Sequence, residues 1–425
     1  MIWTGLLLSQ TGSMMQNAGL LWHVSLLVPP AQKGLALGIV GLVRFLPIVA
    51  FSLVSGVVAD AVDRRRLMLC TQAAAATVAI LLAVLTFRGL SAVWPVYALA
   101  SLGAAVGTFD LPARQSLVPT LVPREHLPNA ITLNMIMFQA ASVTGPALAG
   151  LLIATTSVAW VYVANAVSFG AVAAALLMMR DDGDSRGLTP TSKLGSDSSG
   201  SDPVTASTES SARRRDDLSL HAALEGLRFV FRAPLIRSTM VLDFFATFFS
   251  SATALLPIFA QDILHVGPRG YGWLFAAPAV GAVVTSFALV PLTERIEHRG
   301  RALLWAVVGY GLATVFFGLS RSFWLTFACL AATGITDTIS AVLRSIIRNL
   351  ETPDRLRGRM IGINMLFFVG GPQLGEFEAG AVAGLFGAPF SVITGGLGCL
   401  LATGWVALTT PAIRKYRQGG RGEKE

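Results

Sequence analysis

The sequence predicts an all-α membrane protein of twelve transmembrane helices arranged as two six-helix bundles. Three observations carry this: a very apolar composition, a one-sided distribution of basic residues, and an internal duplication. Of 425 residues, 53% are hydrophobic and 13% charged, and the mean hydropathy is +0.64. A soluble domain carries about 25% charged residues, so this chain has roughly half the polar coat that water demands. Uncharged runs recur at spanning length: Leu67–Phe87, Tyr271–Thr293, and Leu127–Met179, which is 53 residues long. About 20 apolar residues cross the hydrocarbon core as a helix, so the longest run reads as a hairpin of two spans.

The duplication appears when the chain is slid against itself by 230 positions. Arg114 then falls on Arg344, Pro123 on Pro353 and Asn134 on Asn364. Gly145, Ala149 and Gly150 fall on Gly375, Ala379 and Gly380, and three further apolar identities fill the same register. At an offset of 234 Gly38 meets Gly272 and Asp60 meets Glu294; at 233 Gln10 meets Asp243 and Asn17 meets Ser250. Loop-length differences explain the drift, and six spans repeat as six. Duplicated apolar chains of this kind commonly place a substrate site between their halves.

In order, the spans are expected near residues 2–27, 35–58, 67–87, 92–112, 130–154, 158–179, 237–262, 271–293, 302–320, 323–343, 360–384 and 389–411. Residues 1–179 form the first bundle, 234–413 the second, and 414–425 a tail. Residues 180–217, rich in Ser, Thr, Asp, Gly and Arg without apolar period, read as a disordered linker. Within 218–233, Leu220, Leu224, Leu227 and Phe231 recur at helical spacing beside Arg228 and Arg232, an amphipathic helix suited to the membrane surface. The chain shows no cleavable signal pattern and enters its first span almost at once.

Orientation follows from Lys and Arg. Of the 32 basic residues, 27 lie in alternate connections, the linker and the tail; Lys33, Arg88, Arg269 and Arg321 lie in the opposite connections, and Arg44 lies inside a span. Both termini and the linker are therefore expected in the cytoplasm. The net charge of +8 is spent punctuating spans, so it does not point to nucleic acid. Cys70, Cys329 and Cys399 are isolated in apolar runs and offer no metal-ligand spacing. Neither a metal nor an organic cofactor is expected. No nucleophile–base pair favours an enzyme, and no phosphate loop favours ATP-driven transport.

Between spans two and three stands Gly56-Val-Val-Ala-Asp60-Ala-Val-Asp63-Arg64-Arg65-Arg66-Leu67. This resembles the loop signature of the major facilitator superfamily, Gly-x-x-x-Asp-Arg-x-Gly-Arg-Lys/Arg, with Ala61 and Asp63 departing from it. Asp110-Leu-Pro-Ala-Arg114, Gly145-Pro146-Ala-Leu-Ala-Gly150, Leu256-Pro257-Ile-Phe-Ala260 and Gln373-Leu-Gly375-Glu376-Phe-Glu378-Ala-Gly380 resemble its enterobactin-exporter and macrolide-efflux branch. The resemblance implies the 6+6 major facilitator fold and a monomeric, proton-driven exporter in the bacterial inner membrane, carrying a small amphipathic molecule such as a siderophore or lipophilic drug. A non-transporting receptor or scaffold and an importer of a small metabolite share that fold. Gly145, Pro146 and Gly150 also resemble the fifth-span signature of drug–proton antiporters, where Gly allows close helix approach and Pro interrupts the backbone ladder. The antiporter pattern places an Arg in span four near Leu99–Gly103; here there is none, so the proton path is unassigned.

Charges inside the membrane are functional candidates, because each costs at least ~2.5–3.5 kcal/mol at mid-bilayer. These are Arg44, Asp243, Glu376 and Glu378. Asp243, Thr247 and Ser250 share one helix face, as do Gln10, Ser13 and Asn17. In this superfamily spans one, four, seven and ten line the cavity, so the two stripes are expected to face each other across it, with Asp243 as the leading coupling carboxylate. Glu376 and Glu378 point to different faces, so they cannot both line one cavity. His23 and His265 are expected at the surface. A cytoplasmic gate is expected from Asp60, Arg64, Asp110 and Arg114, with Glu294, Arg299, Asp337 and Arg344 as its second-half counterpart.

Overall fold

The computed structural model describes residues 2–121, 124–178, 228, 233–249, 251–292 and 296–416. The linker, the surface helix apart from Arg228 and Ala233, and the tail beyond residue 416 lie outside them. The first half consists of α1 (Ile2–Leu27), α2 (Lys33–Ala61), α3 (Arg64–Phe87), α4 (Trp94–Leu121), α5 (Leu127–Thr155) and α6 (Val158–Met178). The second consists of α7 (Pro234–Phe249), α8 (Gly267–Leu292), α9 (Arg299–Leu319), α10 (Phe323–Glu351), α11 (Asp354–Phe386) and α12 (Ala388–Thr409), then a short α13 (Pro411–Lys415). Pass seven continues beyond α7 as 3₁₀ and π turns to Ile263. Among the described residues, nine of these passes are long and apolar enough to cross a membrane by length and composition. The whole series is consistent with twelve.

Local chemistry sets several boundaries. The 53-residue uncharged run breaks at Thr156, giving the expected hairpin of α5 and α6. Asp63, one of the two departures from the loop signature, caps α3: its carboxylate accepts the backbone N–H of Arg66 at 2.9 Å, the usual work of an N-cap aspartate. Gly387, at φ 90°, ends α11 and turns the chain into α12 in a conformation that a side chain disfavours.

The packing pattern repeats under a shift of six helices. In the first half α1 packs on α5 and α6, α2 on α4, and α3 on α4 and α6; in the second α7 packs on α11 and α12, α8 on α10, and α9 on α10 and α12. The halves meet along two seams, α2 with α11 and α5 with α8, which the same shift interchanges. Both are built on aligned glycines. A Cβ at Gly38 would lie 2.8 Å from the Cα of Gly380, and one at Gly272 2.9 Å from the Cα of Gly150. Gly145 lies against Met14 of α1 and Gly375 against Phe248 of α7. Thus the residues that reveal the duplication are those that let backbones touch.

Alternating passes bring Ile2 and Lys415 to one end, called here the terminal end; the other is the distal end. A single apolar cluster spans both halves distally, joining Leu21, Val24, Leu37, Leu255, Phe259, Tyr271, Ala383 and Val392. At the terminal end the clusters are separate, with Leu6, Met68, Met137 and Val172 in one half and Leu242, Leu303, Ile347 and Val406 in the other. Among the described residues, the halves therefore share an apolar cluster distally and keep separate ones at the terminal end. Its sides expose Leu, Phe and Trp, with Trp94 and Trp324 at distal helix starts and Trp305 and Trp405 toward the terminal end, as in the aromatic belts of membrane proteins.

Candidate functional site

A cavity of about 760 Å³ lies between the halves, walled mainly by the first, within the range of small-molecule sites. Gln10, Ser13, Gln16 and Asn17 of α1 line it, with Arg44 of α2, Gln72 of α3, Asp110 and Arg114 of α4, Asn134 of α5 and Asn165 of α6; Gln373 of α11 enters from the second half. Leu6, Ile48, Val78, Leu99, Met137, Phe138 and Phe169 supply the apolar part. The wall combines amides, one acid and two guanidinium groups with aliphatic and aromatic faces, which is what an amphipathic ligand needs.

The charges on this wall are held by amides, a hydroxyl and one another. Arg44 Nη1 donates to Asn17 Oδ1 at 2.5 Å, so these two expected residues meet. Asp110 accepts from Thr71 and Gln72 of α3 at 2.9 and 2.8 Å and pairs with Arg114 at 2.8 Å. Arg114 also donates to Gln10 at 3.3 Å. Asn165 Nδ2 donates to Gln16 at 2.8 Å. Gln10, Ser13 and Asn17, which share a face by helical spacing, therefore line the cavity.

The matching stripe on α7 does not. Asp243 is buried, with Oδ1 3.0 Å from Arg344 Nη2 and Oδ2 3.7 Å from Arg348 Nη1, both on α10. The first is a charge contact and not an aligned hydrogen bond, since Asp243 Oδ1 lacks a hydrogen-bond partner among the described residues. Arg344 also reaches Asp337 at 3.5 Å, and Arg348 donates to Asn364 of α11. Thr247 turns toward Gly371 of α11, and Ser250 lies outside the described residues. A buried carboxylate without water needs cations, and α10 supplies two. Asp243 is thus tied into a fixed network in place of facing Asn17.

The gate residues divide similarly. The surroundings of Gly56, the side chains of Asp60 and Arg64, and all of Glu294 lie outside the described residues. Asp110–Arg114 and Asp337–Arg344 are both ion pairs, but each stays within its own half. Their arginines are related by the duplication, though their acids are not: Arg114 reaches α1 at Gln10 and Arg344 reaches α7 at Asp243, the aligned positions. Arg299 opens α9, and its charge acts on Tyr416, whose hydroxyl burial holds above the usual range, helped by Glu351. Gly145 packs on α1, while Pro146 and Gly150 meet Gly272 across the seam. Glu376 lies in the α2–α11 seam and interacts electrostatically with Arg44; Glu378, two residues on, is half-buried elsewhere. His23 is buried, contrary to expectation, because its ring shares a 3.0 Å hydrogen bond with the Tyr162 hydroxyl of α6. His265 is exposed, as expected.

Sequence reasoning missed a distal latch. Lys33, at the start of α2, is buried and donates to Gln261 at 2.8 Å and to both oxygens of Asp262 at 2.9 Å, across the halves. Gln261 in turn donates to Ser25 of α1 at 2.7 Å, and the Tyr271 hydroxyl of α8 donates to the Ala18 carbonyl at 2.7 Å. The available signal was Lys33 itself, one of four basic residues on the wrong side of the charge bias.

Paired helical bundles with a central, one-sided cavity define a polytopic membrane transporter, not an enzyme. The model of the transmembrane secretion effector family matches residues 1–200 and 204–418. The chain belongs to that family of the major facilitator superfamily. It is 25% identical over 387 residues to the enterobactin exporter EntS of Escherichia coli O1:K1 / APEC, covering 91% of this chain and 85% of the relative. Solved structures share the fold: a POT family transporter in complex with 5-aminolevulinic acid (TM-score 0.72, 12% identity, covering 97% and 96% of the two chains). A bacterial homolog of the human lysosomal transporter Spinster, inward-facing and unoccupied, aligns with a TM-score of 0.70 at 15% identity, covering 99% and 98%.

Proposed function

We propose that this protein exports a small amphipathic compound across the bacterial inner membrane by alternating access, driven by proton entry. The observation that carries the reading is the asymmetry of the central cavity. Its lining reaches toward the terminal end at Leu6 and Arg114, while an apolar cluster joins the halves distally; we read this as one of the two states that alternating access requires. With both termini in the cytoplasm, as the distribution of Lys and Arg directs, the state described is inward-facing. The halves would rock on the α2–α11 and α5–α8 glycine seams, exchanging the distal latch for charge contacts at the terminal end among Asp60, Arg64, Asp110 and Arg114 and their second-half counterparts. In this reading the working unit is a monomer in the lipid bilayer.

The name of the relatives, enterobactin exporter, and the mixed wall of amides, guanidinium groups and apolar side chains favour a siderophore or a lipophilic drug as substrate. The test is transport into inverted vesicles of a fluorescent lipophilic dye and of a catechol siderophore, with and without a proton gradient. Uptake that collapses with the gradient is expected. Uptake of neither compound above empty vesicles refutes the reading, and accumulation only in right-side-out vesicles reverses its direction.

A further inference from the structure

We propose that Glu376 binds the transported proton and acts as a proton-dependent latch on the distal seal, which closes over the protonated carboxyl and opens on the ionised one. The proposal rests on the exporter reading and names the residue that couples it to the proton gradient.

The placement of Glu376 carries it. α2 presents Gly34, Gly38 and Gly41 to α11, and the two backbones meet with no intervening side chain at Gly38 and Gly380. At the third glycine the Gln373 carbonyl of α11 comes closest, and the Glu376 side chain packs beside it: a Cβ at Gly41 would lie 2.8 Å from Glu376 Cβ and 3.3 Å from its Oε2. The carboxyl is thus inserted in a seam between the halves that closes as the distal end closes. Glu376 Oε2 and Gln373 Oε1, one turn apart, are both shielded from solvent and without a hydrogen-bond donor among the described residues.

The groups that face Glu376 leave it little compensation. Arg44 from α2 supplies the nearby positive charge, but its guanidinium donates to Asn17. Tyr271 from α8 donates its hydroxyl to the Ala18 carbonyl, and Tyr162 from α6 shares its own with His23. Glu378 lies on α11 itself, two residues on. An ionised carboxylate here has one oxygen, Oε2, out of water and without a donor among the described residues, which is costly, whereas a protonated one gives up far less. Separation of α2 from α11 at the distal end would return Glu376 to the outer solution, where a proton can be taken up. With the seam closed, Gln373 leads from Glu376 to the cavity wall, so the proton leaves to the cytoplasmic side. The now ionised Glu376 then favours reopening distally. The proton moves from the outer solution to the carboxylate and on to the cavity, and no other bond changes.

The test measures distal opening against pH. Arg88 and Arg321, exposed at the distal end of opposite halves, are replaced (R88C, R321C) in a full-length background whose three native cysteines are substituted, and spin-labelled in proteoliposomes. The distance between labels is expected to lengthen as the pH rises from mildly acid to mildly alkaline. Glu376→Gln should hold the short distance at every pH and lose the stimulation of dye or siderophore transport by a proton gradient. Glu376→Asp, which keeps a titratable group, should keep a pH response, and Glu378→Gln should behave as the parent. A Glu376→Gln protein that opens with pH like its parent overturns the proposal, as does a parent whose distances ignore pH. If the parent transports neither compound, the exporter reading fails, while the distances still decide whether Glu376 latches the seal.

Discussion

Adding one methyl group to a seam glycine should hold the transporter open distally. In the closed seam, a Cβ at Gly38 would meet Gly380 Cα at 2.8 Å, Phe377 O at 3.0 Å and Glu376 O at 3.2 Å, against 3.4–4 Å for ordinary contact. The obstacles are backbone atoms, so no flexible side chain can yield; α2 and α11 must move apart by roughly half an ångström. Overpacking of this kind costs about 1–3 kcal/mol. Alanine also gains about 1 kcal/mol of helix propensity over glycine, but that gain is equal in both states and cancels from their ratio. The closed-to-open ratio of the Gly38→Ala protein should therefore fall by about fivefold to about 150-fold, at 1.4 kcal/mol per factor of ten. Gly272→Ala should do the same, since its Cβ would meet Pro146 O at 2.6 Å. The readout is maleimide labelling of Ala260→Cys, a fully buried position in the distal cluster, added from the distal side of oriented membranes. Gly170→Ala, with nothing within 4 Å, is the control and should leave the rate unchanged. If Gly38→Ala and Gly272→Ala label no faster than the control, the seams do not gate the distal end.

Lys33→Met removes the distal latch. Because the Asp262 side chain is 41% exposed, screening holds its worth to about 1 kcal/mol, and the same labelling assay should show roughly a fivefold gain in opening; no gain would make the pair incidental. Asp243→Asn should destabilise the detergent-solubilised protein by about 3–5 kcal/mol, since two buried cations on α10 lose their counter-charge, and Asp243→Asn with Arg344→Gln should recover part of the loss in a thermal melt. An unchanged melting temperature with lost proton coupling would instead make Asp243 a proton carrier. Asp60→Asn should insert normally and abolish transport in proteoliposomes; parental rates would remove Asp60 from the cytoplasmic gate.

What the sequence could and could not reveal follows from the two kinds of constraint acting on this chain. Lipid imposes long apolar runs and one-sided charge, so the spans are legible with edges displaced by a few residues, as at α10, which runs to Glu351 where the apolar pattern stops near 343. The duplication is legible because backbone contact tolerates only glycine: Gly38, Gly150, Gly272 and Gly380 align in the sequence and touch in pairs in the fold. The partners of polar residues are not legible, because helical periodicity gives a face and not the neighbour opposite. Gln10 and Asp243 occupy equivalent positions on α1 and α7, yet one lines the cavity and the other is sealed against α10. The reason is the pair Arg344 and Arg348, whose first-half counterparts at the 230-residue offset are Arg114 and Val118. With a single arginine in register, the first half satisfies Arg114 through Asp110 and Gln10 and keeps its interior open to a ligand; with two, the second half must draw in Asp243 and close. Two copies of one bundle have thus diverged into a half that supplies most of the cavity wall and a half that is held together by charge. Asymmetry of this kind turns on a few differences between the copies, Gln10 against Asp243 and Val118 against Arg348 among them, so it becomes visible only when the helices are placed side by side.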